Sequence, residues 1–371
     1  MAAFKTFGRP VLAWLTVALF LIFGSDWMAH LNQHTLGIGL FAWLFVMIVW
    51  TAFGVVHEAE ELAIRLGEPF GTLILTLSIV IIEVALISAV MLGGADTATL
   101  ARDTMFAVLM IVLNGVVGLG LLIGGIRHHE QTYNLQGASA YLAVIIPLAT
   151  IALVLPNFTT STSDGSLTSV QAVSFSLLTM ALYGLFLWLQ TGRHKGYFVS
   201  PKSTAPNEAE PPPPAQPKMP ASELMRRIAL LLVYLLPIVI LSKSLAKVLD
   251  YGIDATGAPP ALGGIIIAML VFTPEGISAL ISIRGDQLTR AINLCLGAAA
   301  STVGLTVPAV LAIGLFTGQS VVLGLPPASI VLLAATLILS ALTFSGWRTT
   351  MLEGAVHLSM FVVFLVLTFS P

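Results

Sequence analysis

"VIIEVALISAV" (Val80 to Val90) and "FTPEGISALIS" (Phe272 to Ser282) each set a single glutamate in an apolar run. The second also places Pro274 directly before the acid and Gly276 directly after it. A membrane-length helix is poorly served by a breaker or a charge. An ionised side chain at the centre of a bilayer costs roughly 2.5 to 3.5 kcal/mol on insertion scales. Whatever retains Glu83 and Glu275 must offset that cost, so these two stretches decide how the rest of the chain is read.

The surroundings are membrane-like. Of the 371 residues, 57% are hydrophobic and 9% charged, against roughly a quarter charged in an ordinary soluble domain. The apolar residues fall in blocks of about 20, the length that crosses a bilayer as a helix. The chain therefore reads as an all-α polytopic membrane protein. Charged, Gly/Pro and polar breaks delimit eleven candidate spans. They are Val11 to Ala29, Leu36 to Val56, Thr72 to Leu92, Thr104 to Ile126, Ala138 to Leu155, Val170 to Gln190, Arg226 to Leu249, Ala261 to Ile283, Leu288 to Phe316, Ser320 to Phe344 and Gly354 to Ser370. The first is too long for a signal peptide and lacks a small-residue cleavage site, so it is read as a retained helix.

Charge tests this count. With the N-terminus in the cytoplasm, 13 of the 16 Lys and Arg residues fall on the cytoplasmic side: Lys5, Arg9, Arg65, Arg127, Arg193, Lys195, Lys202, Lys218, Arg226, Arg227, Arg284, Arg290 and Arg348. Only Arg102, Lys243 and Lys247 fall on the other. Such a bias orients the protein by the positive-inside rule. It places the C-terminus opposite the N-terminus, in a cell membrane and, for a bacterial chain, the inner one. A wrong count would scramble the bias.

"YFVSPKSTAPNEAEPPPPAQPKMPASEL" (Tyr197 to Leu224) is rich in Pro, Ala and Ser, as in an extended linker. It divides the chain into an extra N-terminal helix (1–33), a first five-helix repeat (34–191), the Pro-rich cytoplasmic linker (192–225) and a second five-helix repeat (226–371). A unit with an odd number of spans that occurs twice must insert upside down the second time. The halves echo each other accordingly. Besides the two glutamates, each half has a Val-Gly-Leu in its next span, Val117 to Leu119 and Val303 to Leu305, starting 34 and 28 residues after the acid. Inverted repeats of this kind mark secondary transporters, with the substrate site near the midplane where the repeats meet.

The chemistry follows from the pair of acids. Removal from water favours a carboxyl's protonated form, whereas a cation close by favours the ionised one. A buried carboxylate pair therefore takes up protons or a cation, each displacing the other, with one divalent ion or two protons giving the same charge compensation. A fold that opens alternately to either side of such a site exchanges cations for protons. Further oxygens come from nearby groups. Pro274 removes an amide hydrogen and frees carbonyls around Leu270 and Val271, and Gly276 permits close approach of a helix or ion. Thr273 and Ser278 flank Glu275, Thr76 and Ser78 precede Glu83, and Asn114, Ser301 and Thr302 stand in the next span of each half. Each hydroxyl also has the alternative of bonding its own helix. A buried amide such as Asn114 needs several partners.

"GEPFGTLILTLSIVIIEVALI" (Gly67 to Ile87) and "FTPEGISALISIRGDQLTRAINLCLGAAASTVGLTVPAVL" (Phe272 to Leu311) resemble the two alpha-repeat regions of the calcium/cation antiporter superfamily. Within it they are similar to the bacterial proton-exchanging branch of the ChaA type, as is "RDTMFAVLMIVLNGVVGLGLLIGG" (Arg102 to Gly125). The resemblance implies calcium/proton exchange, or sodium and potassium/proton exchange, with one essential glutamate per repeat at the positions of Glu83 and Glu275. It also carries departures. Many members have Gly-Asn-x-x-Glu in these repeats, whereas Val80 and Phe272 stand three residues before the acids here. An acidic helix between the halves, common in the superfamily, is replaced by a proline-rich linker with Glu208, Glu210 and Glu223.

Other features bound the partners. "HEAEELAIRLGEP" (His57 to Pro69) offers His57, Glu58, Glu60, Glu61 and Glu68 as a cytoplasmic pH or cation sensor, or as a solvated amphipathic helix. Cys295 is the single cysteine, which excludes an internal disulfide. No nucleotide-binding loop or zinc-protease signature is present, and no basic stripe indicates nucleic acid. The expected partners are small inorganic cations and membrane lipid, with a second copy of the chain left open. No resident cofactor is expected and metal contact falls to Glu83 and Glu275. Calcium/proton antiport leads, with sodium/potassium–proton antiport on the same architecture as the alternative. An intramembrane enzyme with paired carboxylates would need further polar groups facing a substrate, and a channel would lack proton coupling.

Overall fold

The computed structural model describes residues 2–31, 34–66, 70–92, 98–162, 164–200 and 220–370. Glu68, Lys202, Lys218, Glu208, Glu210 and most of the linker lie outside them. Among the described residues, ten helices are long and apolar enough to cross a membrane. They are α1 (Ala2–Ala29), α2 (His34–Leu66), α3 (Phe70–Met91), α4 (Leu100–His128), α5 (Leu135–Phe158), α6 (Ser169–Thr191), α7 (Ala221–Thr256), α8 (Ala261–Arg284), α9 (Leu288–Thr317) and, after one shorter helix, α11 (Met351–Phe369). The shorter one is α10 (Pro327–Thr343), with 17 residues.

Each expected span overlaps one of these helices, but the ends differ for local reasons. The tenth was expected from Ser320. Instead Gly318 turns the chain in the left-handed region at φ 71°, and Pro326 precedes the helix. Between them the backbone bonds neighbouring segments: Val322 N–H to Ala98 O at 2.9 Å, and Leu325 N–H to Leu153 O of α5 at 2.9 Å. Those partners satisfy groups that a helix would otherwise satisfy, so the helix starts later. Other ends are set by side chains. Thr168 with Gln171 and Thr350 with Glu353 form capping boxes at the starts of α6 and α11.

Contacts gather the connections into two sets. One brings residues 128–134, 194–199, 283–293 and 346–350 together. There the strands β1 (Gln131–Thr132) and β2 (Arg348–Thr349) pair antiparallel, Gln131 Nε2 donates to Ile283 O at 3.1 Å, and Tyr133 Oη donates to Gly346 O at 2.6 Å. The other joins residues 98–102, 153–166 and 322–325, with Arg102 donating to Gly324 O at 3.0 Å and Asn157 to Leu325 O at 2.8 Å. Short as it is, α10 connects one set to the other.

The middle of the molecule belongs to α4 and α9. Over their apolar windows 72% and 67% of residues are buried, against 22% for α11 at the periphery. Close approach is set by glycine: a Cβ on Gly264 of α8 would lie 2.7 Å from the Thr104 backbone nitrogen of α4. Both central helices carry a widened, π-helical turn, Ile111–Val116 in α4 and Thr302–Thr306 in α9. In α9 the turn is followed by Pro308, which cannot donate to the preceding carbonyls. Such turns are rare in helices and concentrate at functional sites. Across Pro274, by contrast, α8 continues as α-helix, so the break expected there lies one helix further along the chain.

Candidate cation and proton site

Glu83 on α3 and Glu275 on α8 are both buried, at 1% and 5% exposure. The widened turn of α9 presents its hydroxyls to the first acid. Thr306 Oγ1 donates to Glu83 Oε2 at 2.7 Å, and Thr302 Oγ1 donates to the same oxygen at 3.1 Å. These donors come from the second half of the chain and the acid from the first. Glu83 Oε1 has no hydrogen-bond partner, and neither has Glu275 Oε2. A buried polar atom without a partner costs about 1 to 3 kcal/mol. Those two oxygens are thus placed to take a proton or to ligate a cation.

Glu275 also forms part of the wall of a cavity of about 280 Å³. Thr76, Tyr183 and Ser301 line it near the acid, Tyr141 and Gln190 further along, and Lys195, Arg290 and Asn293 towards the helix ends. Tyr183 is buried and hydrogen-bonded with Thr76. Its ring lies over Gly304 in the widened turn, where a Cβ would come within 2.8 Å of the ring. Gln190 Nε2 donates to Tyr141 Oη at 2.6 Å. Gly276 faces the widened turn of α4, with Val116 Cγ2 3.4 Å from where a Cβ would stand.

The remaining sequence-selected groups divide. Thr302 reaches a carboxylate, and Thr76 and Ser301 line the cavity. Thr273 donates to Met269 O at 2.5 Å, Ser78 to Ile74 O at 2.7 Å and Ser301 to Ala298 O at 3.0 Å, each on its own helix. Ser278 is half-buried on α8, where its backbone oxygen accepts from Ser282. Asn114 is buried and satisfied elsewhere. Its Nδ2 donates to Thr336 Oγ1 at 2.8 Å and its Oδ1 accepts from His357 Nδ1 at 3.0 Å, while His357 Nε2 pairs with Thr343 Oγ1 at 3.0 Å. Glu58 and Glu61 are both taken up by Arg227 of α7, at 2.9 and 3.4 Å, and His57 is exposed.

Thr306, Tyr183 and His357 were not singled out by sequence reasoning. Thr306 stands one turn beyond Thr302, a spacing that signals a shared face. His357 is an ionisable residue within an apolar run, which is itself a signal. Nothing local marks Tyr183. Among the described residues no three His, Cys, Asp or Glu side chains gather to hold a metal. A cation here would draw its further ligands from hydroxyls, carbonyls and water, as hard cations do.

An all-helical membrane protein with paired, buried, incompletely partnered carboxylates on two echoing halves is an ion carrier by class. Comparison with known proteins agrees. The sodium/calcium exchanger protein family matches residues 36–192 and 227–370, and the chain belongs to that family. It is 39% identical to the protein y4hA of Sinorhizobium fredii over 98% of this chain and 97% of that one. It is 38% identical to the sodium-potassium/proton antiporter ChaA of Escherichia coli over 87% of each chain. The solved structure of the selenium-substituted Ca2+/H+ antiporter protein YfkE shares the fold, with a TM-score of 0.71 at 16% identity over 97% of this chain and 100% of that one. The family makes the protein a membrane transporter and not an enzyme.

Proposed function

We propose that this protein is a secondary active antiporter in which Glu83 and Glu275 bind a cation and protons in turn, so that each crosses the membrane in exchange for the other. The observation that carries this reading is the pair of buried acids, one per half, each with a carboxylate oxygen left without a partner. Two protons or one divalent ion neutralise the pair equally. Alternating access then turns competition for the site into exchange.

The architecture assigned to this function has eleven crossings, α1 and two inverted repeats, α2–α6 and α7–α11. The repeats are joined by the linker within 192–225. The two sets of connections support it, as does the placing of α10 between them. Arg127, Arg284, Arg290 and Arg348 cluster with the first set, which the positive-inside rule assigns to the cytoplasm. The cavity below Glu275 then faces the cytoplasm, and the C-terminus faces the opposite side.

Calcium is the leading cargo, because its charge matches the pair. Sodium or potassium is the second reading. It is favoured by the 38% identity to a sodium-potassium/proton antiporter and by Val80 and Phe272 where an amide ligand would otherwise stand. Everted vesicles separate the readings. Proton release should accompany addition of the true cargo, and Glu275→Gln should abolish it. Undiminished exchange by Glu275→Gln would overturn the assignment of the site.

A further inference from the structure

The cavity that reaches Glu275 has a charge pattern unused by the exchange reading. Glu275 is the one carboxylate among its lining residues, whereas its outer part carries two cations, Lys195 and Arg290. Both are exposed, and among the described residues neither is in an ion pair, unlike Arg102, Arg227 and Arg348. Nor is Lys195 on a loose loop. It begins a 3-10 turn, Lys195–Phe198, whose backbone is anchored from two helices. Asn134 Nδ2 donates to Gly196 O and Val199 O at 3.0 Å each, and Asn293 Nδ2 donates to Phe198 O at 2.7 Å. The Phe198 ring packs edge-on against Tyr141 and Phe186. Arg290 precedes Asn293 by three residues on α9, which puts both on one face of the helix.

We propose that Lys195 and Arg290 are specificity-determining residues, an electrostatic filter at the mouth that disfavours entry of divalent cations relative to monovalent ones. The reason is arithmetic. The energy of a cation approaching fixed positive charge scales with its valence, so the factor by which entry of a monovalent ion is reduced is squared for a divalent one. With two charges about 8 Å from the path and ordinary salt, the factors are about twofold for a monovalent ion and about fourfold for a divalent one. A proton, whether carried by water or relayed between hydroxyl groups, brings a single charge and meets only the monovalent factor. The filter rests on the antiport reading and sets which cargo that site sees.

The test uses the full-length protein in everted vesicles, with sodium, potassium and calcium as cargo. The double variant Lys195→Gln/Arg290→Gln should raise kcat/KM about fourfold for calcium and about twofold for sodium and potassium, leaving kcat unchanged. The charge-conserving variant Lys195→Arg/Arg290→Lys should behave as wild type. Raising ionic strength with an inert salt should shrink the difference between wild type and the neutral variant. Equal factors for all three cations, or no change while wild type exchanges normally, would overturn the filter and leave the antiport reading standing. A wild type that exchanges none of these cations for protons would overturn both.

Discussion

Glu83 lies on α3 in the first half of the chain and Glu275 on α8 in the second, and their surroundings differ. Glu83 is held by two hydroxyls from the widened turn of α9. Glu275 borders a cavity and the widened turn of α4. Aligning the Val-Gly-Leu of each half, which lies inside the widened turn of α9 and directly after that of α4, sets Thr302 opposite Val116 and Thr306 opposite Gly120. The donors present on one side are therefore a methyl-bearing side chain and no side chain on the other. The one strong hydrogen-bonding group in the α4 turn, Asn114, is engaged by Thr336 and His357. The halves thus repeat a backbone device, the widened turn, without repeating its chemistry. One acid is positioned by fixed donors and the other is left accessible.

Removing either acid should break the comparison most severely. Glu83→Gln and Glu275→Gln should each lower proton-coupled transport by more than about a hundredfold, since a neutral amide cannot exchange a proton for a cation. Flux in vesicles, with protein level checked by immunoblot, measures this. Next comes loss of the donors. Thr306→Val should weaken apparent cation affinity about tenfold and Thr302→Val less, following the bond lengths of 2.7 and 3.1 Å and the roughly 1.5 kcal/mol carried by a hydrogen bond to a charged group. Equal effects of the two would show that the geometry around Glu83 is shared differently.

The comparison can also be sharpened by making the halves more alike. Val116→Thr is nearly isosteric and offers the α4 turn a hydroxyl where α9 has Thr302. It should raise apparent cation affinity about threefold, read from the half-saturating concentration. Smallest is Gly276→Ala. Its Cβ would meet the Phe272 ring at 3.3 Å and Val116 at 3.4 Å. A thermal-shift measurement in detergent should report a loss of about 1 kcal/mol, the low end of overpacking costs, with transport reduced by a smaller factor than in Thr306→Val.

Much of the fold was legible in the chain. Blocks of bilayer length, their charge bias and the proline-rich break led to helices that the structure contains, and the two acids were visible because a carboxylate in an apolar run is costly wherever it sits. The less legible parts share a cause. Pro274 signalled a broken helix, yet α8 continues through it, while widened turns lie in α4, α5 and α9. A proline removes a donor wherever it stands, but neighbouring packing decides whether the helix yields. Glu58 reads as solvated from its acidic neighbours, yet it is 3% exposed against Arg227, 169 residues away.

By itself, the sequence determined the solvent this protein lives in, its helical class and the two costly acids, because transfer energy depends on composition and span length. Only the tertiary structure decided which hydroxyls meet which acid. It gave Thr302 and Thr306 to Glu83, Asn114 to His357, and a cavity with Lys195 and Arg290 to Glu275. Hydrogen bonds reach about 3 Å, and at that range partners are set by which helices lie side by side, not by their separation along the chain.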